Sequence, residues 1–191
     1  MGVEGIILAA GLSSRAQTYK MTLKFNNKTV IENTIDNMLG FCKRIILVGG
    51  YKIENLQPIA ERYENVKLVF NENYETGMFS SVLKGMSAIV EDKFFFTPGD
   101  YPSIDTAVYN ELLKQEGDII IPTFLGHKGH PLLFKSSLIK EISQGGRYSS
   151  LREFVKERNV VLVPVSCRGI LTDIDTYEDY EKALFPVDNR G

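Results

Sequence analysis

The chain of 191 residues is poor in the features that mark most specialised protein classes. It has two cysteines, Cys42 and Cys167, far apart and without CxxC spacing. That argues against a disulfide framework or a structural zinc site and leaves two reduced thiols in or near the core. Its two histidines, His127 and His130, lie three apart with no glutamate between them, which is not a zincin spacing. Charge of either sign is not in excess: 22 Lys and Arg face 24 Asp and Glu, a net charge of −2. A broad basic face for nucleic acid is therefore not expected. The nine tyrosines and eleven phenylalanines show no single-strand stacking pattern and read as core. No apolar run approaches the ~20 residues that span a bilayer, and the N-terminus lacks the basic, apolar, small-residue order of a signal peptide. Internal repeats, low-complexity tracts and linkers are missing too. A cytoplasmic protein of one domain, residues 1–191, with neither nucleic acid nor membrane as partner, is the expectation.

What is present is a rhythm. Val3 to Ala9 is a short, continuous aliphatic run, as buried parallel strands are. Helical spacing from Thr29 to Leu39 follows, then a strand from Arg44 to Val48 and a helix from Ile53 to Tyr63. Next come a strand from Val66 to Phe70, a helix from Phe79 to Val90 and a strand from Phe94 to Thr97. This alternation implies parallel strands with helices on both faces. The second half is less regular: strands at Asp118–Pro122 and Pro131–Phe134 around a glycine-rich turn, a helix at Ser149–Arg158, a strand at Val160–Val165 and a helix at Thr176–Leu184.

The stretch LAAGLSSRAQTYK, Leu8 to Lys20, places a small, polar, cationic loop directly after the first strand. It is neither GxxxxGK[ST] nor a clean GxGxxG, so the Walker and dinucleotide motifs are absent. Loops at the carboxyl edge of parallel strands bind ligands in α/β folds. Gly11 permits close backbone approach, consecutive N–H groups can hold phosphate oxygens, and Arg15 and Lys20 can neutralise a polyphosphate. Locally, the same stretch also reads as an exposed loop with two solvated cations.

Asp100 follows a strand and the Pro98-Gly99 break, where a carboxylate can reach a metal held over phosphates or simply form a turn before Tyr101-Pro102. Asp173 and Asp175 flank Ile174; if the segment is extended, both carboxylates share one face. Asp173 is expected near a metal. Asp175 is expected to be structural, because it or Thr176 can cap the following helix, whose first turn carries Glu178 and Asp179. Ser80 and Ser81 start a helix after Gly77 and can bind an anion or cap that helix. Asn71 ends a strand and is either a turn residue or a contact to a base or ribose.

These segments together resemble the nucleotidyltransferases that act on the molybdenum cofactor. The resemblance is carried by LAAGLSSR with Lys20, KTVIENTI (28–35), NENYETGMFSSV (71–82), PGDYPSI (98–104), GHKGHPLLF (126–134), GGR (145–147) and DIDTYEDY (173–180), in the family's order across nearly the whole chain. It implies a three-layer α/β/α sandwich, Rossmann-like and similar to nucleotide-diphospho-sugar transferases. The sheet would be mostly parallel and mixed, with an antiparallel strand in its second half. It implies transfer of a nucleoside monophosphate from a nucleoside triphosphate to a phosphorylated small-molecule acceptor, molybdopterin or its metal-loaded form, with release of pyrophosphate. A molybdoenzyme or its chaperone is the protein partner it implies.

By the same resemblance, Arg15, Lys20 and Asp100 are catalytic. Leu8, Ala9, Ala10, Gly11, Ser13, Arg15, Lys20, Asn71, Ser80 and Ser81 surround the nucleotide. Asp100 and Asp173 hold Mg²⁺, and His130 and Arg147 face the acceptor. Leu8-Ala9-Ala10-Gly11 matches the cytidylyltransferase branch, whereas guanylyltransferases tend to carry Leu-Ala-Gly-Gly; CTP is thus the expected nucleotide. One departure is Ala16-Gln17, where the family usually has Met-Gly; losing that glycine is expected to stiffen or reshape the loop. The competing readings are a sugar-1-phosphate nucleotidyltransferase, a nucleotide-sugar glycosyltransferase, and a non-catalytic nucleotide-binding module.

Overall fold

A computed structural model describes residues 2–11 and 19–184. In chain order the elements are β1 (Val3–Ala9), β2 (Lys24–Phe25), β3 (Lys28–Thr29), α1 (Val30–Leu39), β4 (Arg44–Gly49), α2 (Gln57–Ala60), β5 (Val66–Phe70), α3 (Met78–Met86), β6 (Lys93–Pro98) and α4 (Thr106–Leu113). They continue with β7 (Ile119–Phe124), β8 (His127–Lys128), β9 (Leu132–Lys135), α5 (Ile139–Ile142), α6 (Leu151–Lys156), β10 (Val161–Pro164) and α7 (Tyr177–Leu184). The main sheet runs β10-β7-β9-β6-β1-β4-β5, with β8 paired to β7. β1 is parallel to both β4 and β6, and β10 is parallel to β7. β9 lies antiparallel between β6 and β7, so the expected mixed, mostly parallel sheet is present.

The two faces of β1 divide the core. Ile7 and Ala9 point to the layer built with α1, α2 and α4, where Ile31, Ile35 and Tyr109 are buried. Ile6 and Leu8 point to the layer of α3, α5 and α6, with Val82, Met86 and Phe154. Strand alternation therefore feeds two helical layers from one run of apolar residues. A third cluster of Phe25, Val30 and Ile174 joins the β2–β3 hairpin to α7.

Element ends follow local chemistry. Thr29 caps α1 in a reciprocal box with Glu32, and Ser150 caps α6 by accepting from the Glu153 N–H. The expected helix from Ile53 to Tyr63 breaks into a 3₁₀ turn, Ile53–Asn55, and the four-residue α2, because Pro58 is tolerated only in a first turn. α3 stops at Met86 rather than Val90, since the N–H groups of Val90 and Glu91 donate to the Glu4 carboxylate instead. Not foreseen were α4, capped by Asp105, the short α5, β8, and the β2–β3 hairpin, whose Asn26 turns at φ 56°. Both cysteines are free. Among the described residues no helix is long and apolar enough to cross a membrane.

The chain leaves β1 toward β4 on one side and returns through α3 to β6 on the other. The carboxyl ends of β1 and β6 thus form a topological switch point, the place where open α/β sheets open a crevice.

Candidate functional site

Lys20 opens a 3₁₀ turn, Lys20–Thr22, between two buried anchors, Tyr19 and Met21. The Tyr19 hydroxyl donates to the Ala9 carbonyl at 3.2 Å, which ties the turn to the end of β1. Asp100 sits just past β6 with its backbone held on three sides. Gly99 N–H donates to Leu8 O, Thr34 Oγ1 donates to Gly99 O, and Ile174 N–H donates to Asp100 O, all within 2.8–2.9 Å. Gly99 fits a tight space: a methyl at that position would lie 2.7 Å from Ile31 Cδ1 and 3.1 Å from both Leu8 O and Met21 Sδ. A side chain there would make Ile31 and Met21 give way and crowd the end of β1.

The third segment of the site comes from far along the chain. The turn Arg168–Leu171 packs so closely on the loop after Asp100 that a methyl at Gly169 would meet Ser103 O at 1.9 Å. It delivers the segment 173–175 beside Asp100. Ile174 is fully buried against Phe25 and Val30, and alternation turns Asp173 and Asp175 the other way. One oxygen from each of Asp100, Asp173 and Asp175 lies within 4.8 Å of the others. Lys20 Nζ donates to Asp100 Oδ2 at 2.5 Å and to Asp175 Oδ1 at 3.0 Å.

Of the two expected candidates for the cap of the last helix, Asp175 and Thr176, the structure uses Thr176: its Oγ1 accepts from Asp179 N–H, and the Asp179 carboxylate accepts from Thr176 N–H and Oγ1. Asp175 belongs with Lys20 and Asp100. The signal was legible as T-x-x-D, a capping box with aspartate as its acid.

The electrostatics match a cation site. Burial alone would lower the Lys20 ammonium, but Asp100 and Asp175 more than reverse this and hold it above its ordinary value. Burial, then the negative charges of Asp100 and Asp175, pushes the Asp173 carboxyl up. Burial followed by the three aspartates pushes up the Tyr101 phenol as well; sequence reasoning gave Tyr101 no role. Asp100 is 8% exposed, and its Oδ1 is buried without a hydrogen-bond partner among the described residues. An unfilled carboxylate oxygen beside two further carboxylates fits a hard divalent ion, which takes oxygen ligands.

The other expected residues divide. Arg15 and Ser13, with Ala16 and Gln17, lie outside the described residues. Leu8 and Ala9 send their side chains into the two cores, and Ala10 is buried too, so of these four only Gly11 is exposed at the edge. Asn71, 2% exposed, spends its amide on Ser80 Oγ and Ser81 Oγ, both at 2.9 Å, and its Oδ1 accepts from Asn73 N–H. These three residues brace the turn from β5 into α3. His130 reaches the site's rim: its ring centroid lies 4.8 Å from that of Tyr101 and 6.1 Å from that of Phe96. Burial depresses its pKa to about 4, so the ring is neutral, and its Nδ1 has no partner among the described residues.

Arg147 is not brought to this site. It pairs with Glu157 at 3.3 Å and Glu141 at 3.6 Å. Glu157 helps line a cavity of about 240 Å³ with Asp118, which precedes β7, at the opposite edge of the sheet.

Comparison with known proteins agrees with this geometry. The MobA-like NTP transferase domain matches residues 5–161. The molybdenum cofactor cytidylyltransferase of Escherichia coli (strain K12) is 31% identical over 179 residues, 93% of each chain. A probable molybdenum cofactor guanylyltransferase of Natranaerobius thermophilus is 27% identical over 135 residues, 65% of this chain and 62% of that one. Among solved structures, Rv0371c of Mycobacterium tuberculosis H37Rv superimposes with a TM-score of 0.83 at 23% identity, covering 96% of this chain and 98% of that one. Its complex with manganese gives 0.77 at 20% identity, covering 98% and 100%. Likeness at that identity speaks for the fold. The domain match spans most of the chain and the Escherichia coli relative aligns almost end to end; the chain belongs to the MobA-like NTP transferase domain family and is a nucleotidyltransferase.

Proposed function

We propose that the chain transfers a nucleoside monophosphate, CMP in preference to GMP, from a nucleoside triphosphate to a phosphorylated acceptor of the molybdopterin type, with Mg²⁺ as cofactor. The carrying observation is Lys20 held on Asp100 and Asp175, with Asp173 alongside, at the carboxyl edge where β1 and β6 meet. In such a reaction the acceptor phosphate attacks the α-phosphorus and pyrophosphate leaves. The chemistry needs in-line positioning and neutralised charge more than a side-chain nucleophile. Arg15 and Lys20 steady the triphosphate. Asp100, Asp173 and Asp175 hold the ion. Mg²⁺ held by these residues would supply charge neutralisation for the transferring phosphates. His130 and Tyr101 wall the side next to Asp100, and the neutral His130 ring adds no charge there.

Two observations support CTP. The end of β1 reads Leu8-Ala9-Ala10-Gly11, and the 31%-identical relative is a cytidylyltransferase. Ala10 is 6% exposed, and a methyl placed on Gly50 would lie 2.9 Å from its own. The Ala10 methyl therefore acts by fixing the packing of the loops that follow β1 and β4. A glycine there would loosen them and admit a two-ring base more readily. The test supplies equal CTP and GTP with Mg²⁺, pyrophosphatase and reduced molybdopterin, and scores which nucleotide becomes attached to the pterin. CTP should win, and Ala10→Gly should relax the ratio toward GTP. GTP winning, or an unchanged ratio in Ala10→Gly, overturns the nucleotide assignment. Triphosphate binding without pyrophosphate release with any acceptor supplied would overturn the enzymatic reading in favour of a binding module.

A further inference from the structure

Lys20 does not point away from the carboxylates toward a phosphate; it lies among them. Its side chain is 12% exposed, and its ammonium touches one oxygen each of Asp100 and Asp175. Those two carboxylates and Asp173 are the groups whose oxygens converge within 4.8 Å. An ammonium and a divalent ion compete for the same carboxylates. Each donor hydrogen occupies a lone pair that an ion needs, and two cations a few ångströms apart repel. The backbone beneath Lys20 is pinned by buried Tyr19 and Met21. Its charge sits at the end of a flexible four-carbon stem, which is the part free to swing. Asp100 Oδ1, buried and without a partner among the described residues, stays available to an incoming ion while Oδ2 holds Lys20.

We infer that Lys20 is an internal counter-ion for the acid cluster, and that it changes partners when a metal-bearing triphosphate arrives. The inference rests on the reading of this cluster as a metal site given above. The carboxylates pass from the ammonium to the ion, and the ammonium passes from the carboxylates to phosphate oxygens. No covalent bond changes. Two consequences follow from linkage. Bare metal binds weakly, because it must compete with Lys20 for the carboxylates and lie close to its charge without offering it another partner. Metal and triphosphate then each tighten the other by the same factor. A lysine that only met phosphate would leave bare-metal affinity untouched.

The experiment is a titration of Mn²⁺ alone, and of Mn²⁺ with α,β-methylene CTP, read by the electron paramagnetic resonance signal of free Mn²⁺. Lys20→Met should bind Mn²⁺ alone about tenfold tighter than the unaltered protein, equivalent to about 1.4 kcal/mol. Lys20→Arg, which keeps the charge, should stay within about threefold of the unaltered protein, well short of the tenfold coupling expected here. Lys20→Gln keeps a donor toward Asp100 and should follow Lys20→Met; it serves if the methionine variant does not fold. With the CTP analogue present the order should invert, the unaltered protein holding Mn²⁺ more tightly than Lys20→Met. If Lys20→Met and Lys20→Gln bind Mn²⁺ alone no tighter than the unaltered protein, the counter-ion role is wrong and the metal site stands. If no variant binds Mn²⁺ with or without the analogue, both fall.

Discussion

Glu4 and Asp100 are buried carboxylates at opposite ends of neighbouring strands. Glu4, 1% exposed, lies near the start of β1; Asp100 lies just past the end of β6, which pairs with β1. Glu4 is completely served by its own chain. Its Oε1 accepts from Arg44 Nε at 2.9 Å and from the other guanidinium arm at 2.6 Å, and its Oε2 accepts from Val90 and Glu91 N–H. Asp100 has Lys20 on one oxygen and, among the described residues, nothing on the other. A carboxylate taken out of water costs several kcal/mol unless its lone pairs are filled. The Glu4 set fills them from within, which makes it architecture. The Asp100 set leaves room for something from outside. For a buried acid, the completeness of its partners separates a strut from a site; burial alone does not.

Four substitutions and conditions test that contrast. The largest effect is expected from Asp100→Asn, which keeps shape and removes charge. Turnover should fall by about 10²–10³, the scale on which losing one transition-state stabilising group is felt, with an unchanged circular dichroism spectrum. Wild-type turnover at limiting Mg²⁺ would remove Asp100 from the metal site. Glu4→Gln should do the reverse. Arg44 is left beside a neutral amide, and stability should drop by about 2–3 kcal/mol, discounted from the fully buried case because Arg44 is partly exposed. That corresponds to a melting temperature lower by about 5–10 °C in a chain of this size, while kcat/KM of the folded protein stays as it was. A loss of turnover matching that of Asp100→Asn would erase the distinction between the two acids.

A smaller effect comes from His130. Its pKa is depressed to about 4 in the folded chain, below the ordinary value near 6.5, so the unfolded chain binds the proton more readily. The stability it contributes is full above pH 6.5 and is lost as pH falls from there toward 4. Denaturant melts at pH 7 and pH 4.5 should differ by about 2 kcal/mol from this group, and His130→Gln should shrink the difference. An undiminished difference in that variant would assign the acid lability elsewhere. The smallest is Thr176→Ala, which removes the cap of α7 and should cost about 1 kcal/mol. Because Asp175 is the adjacent residue, metal affinity should weaken severalfold at the same time. A stability loss with metal affinity intact would show that the α7 cap serves the fold alone.

Much of this was encoded in short stretches of sequence. The continuous aliphatic runs of β1, β4 and β6 and the apolar spacing of α1 specify buried parallel strands and a helix in any context that lets them bury. The position of Asp100 just past β6 was legible from the run that precedes it; its assigned role came from the family resemblance. The sidedness of the second half was not. Nothing within GGR separates an arginine at the ligand edge from one at the far edge, and Arg147 goes to the far edge because its acids are there. Nor does D-I-D reveal which aspartate serves the helix, until Thr176 is seen to take the cap and Asp175 to reach Lys20.

What the sequence by itself determined is therefore the alternating strands and helices that build the main sheet and its layers, and the chemistry available at their ends. The tertiary structure alone decided which ends meet. Lys20 and Asp100 are 80 residues apart, and Lys20 and Asp175 are 155 apart. Periodicity is a short-range signal, carried by a few turns of helix or a few residues of strand. The meeting of those three charges depends on the order of strands across the sheet, with β1 at the switch point. It depends also on two glycines, 99 and 169, that let distant segments close to contact distance.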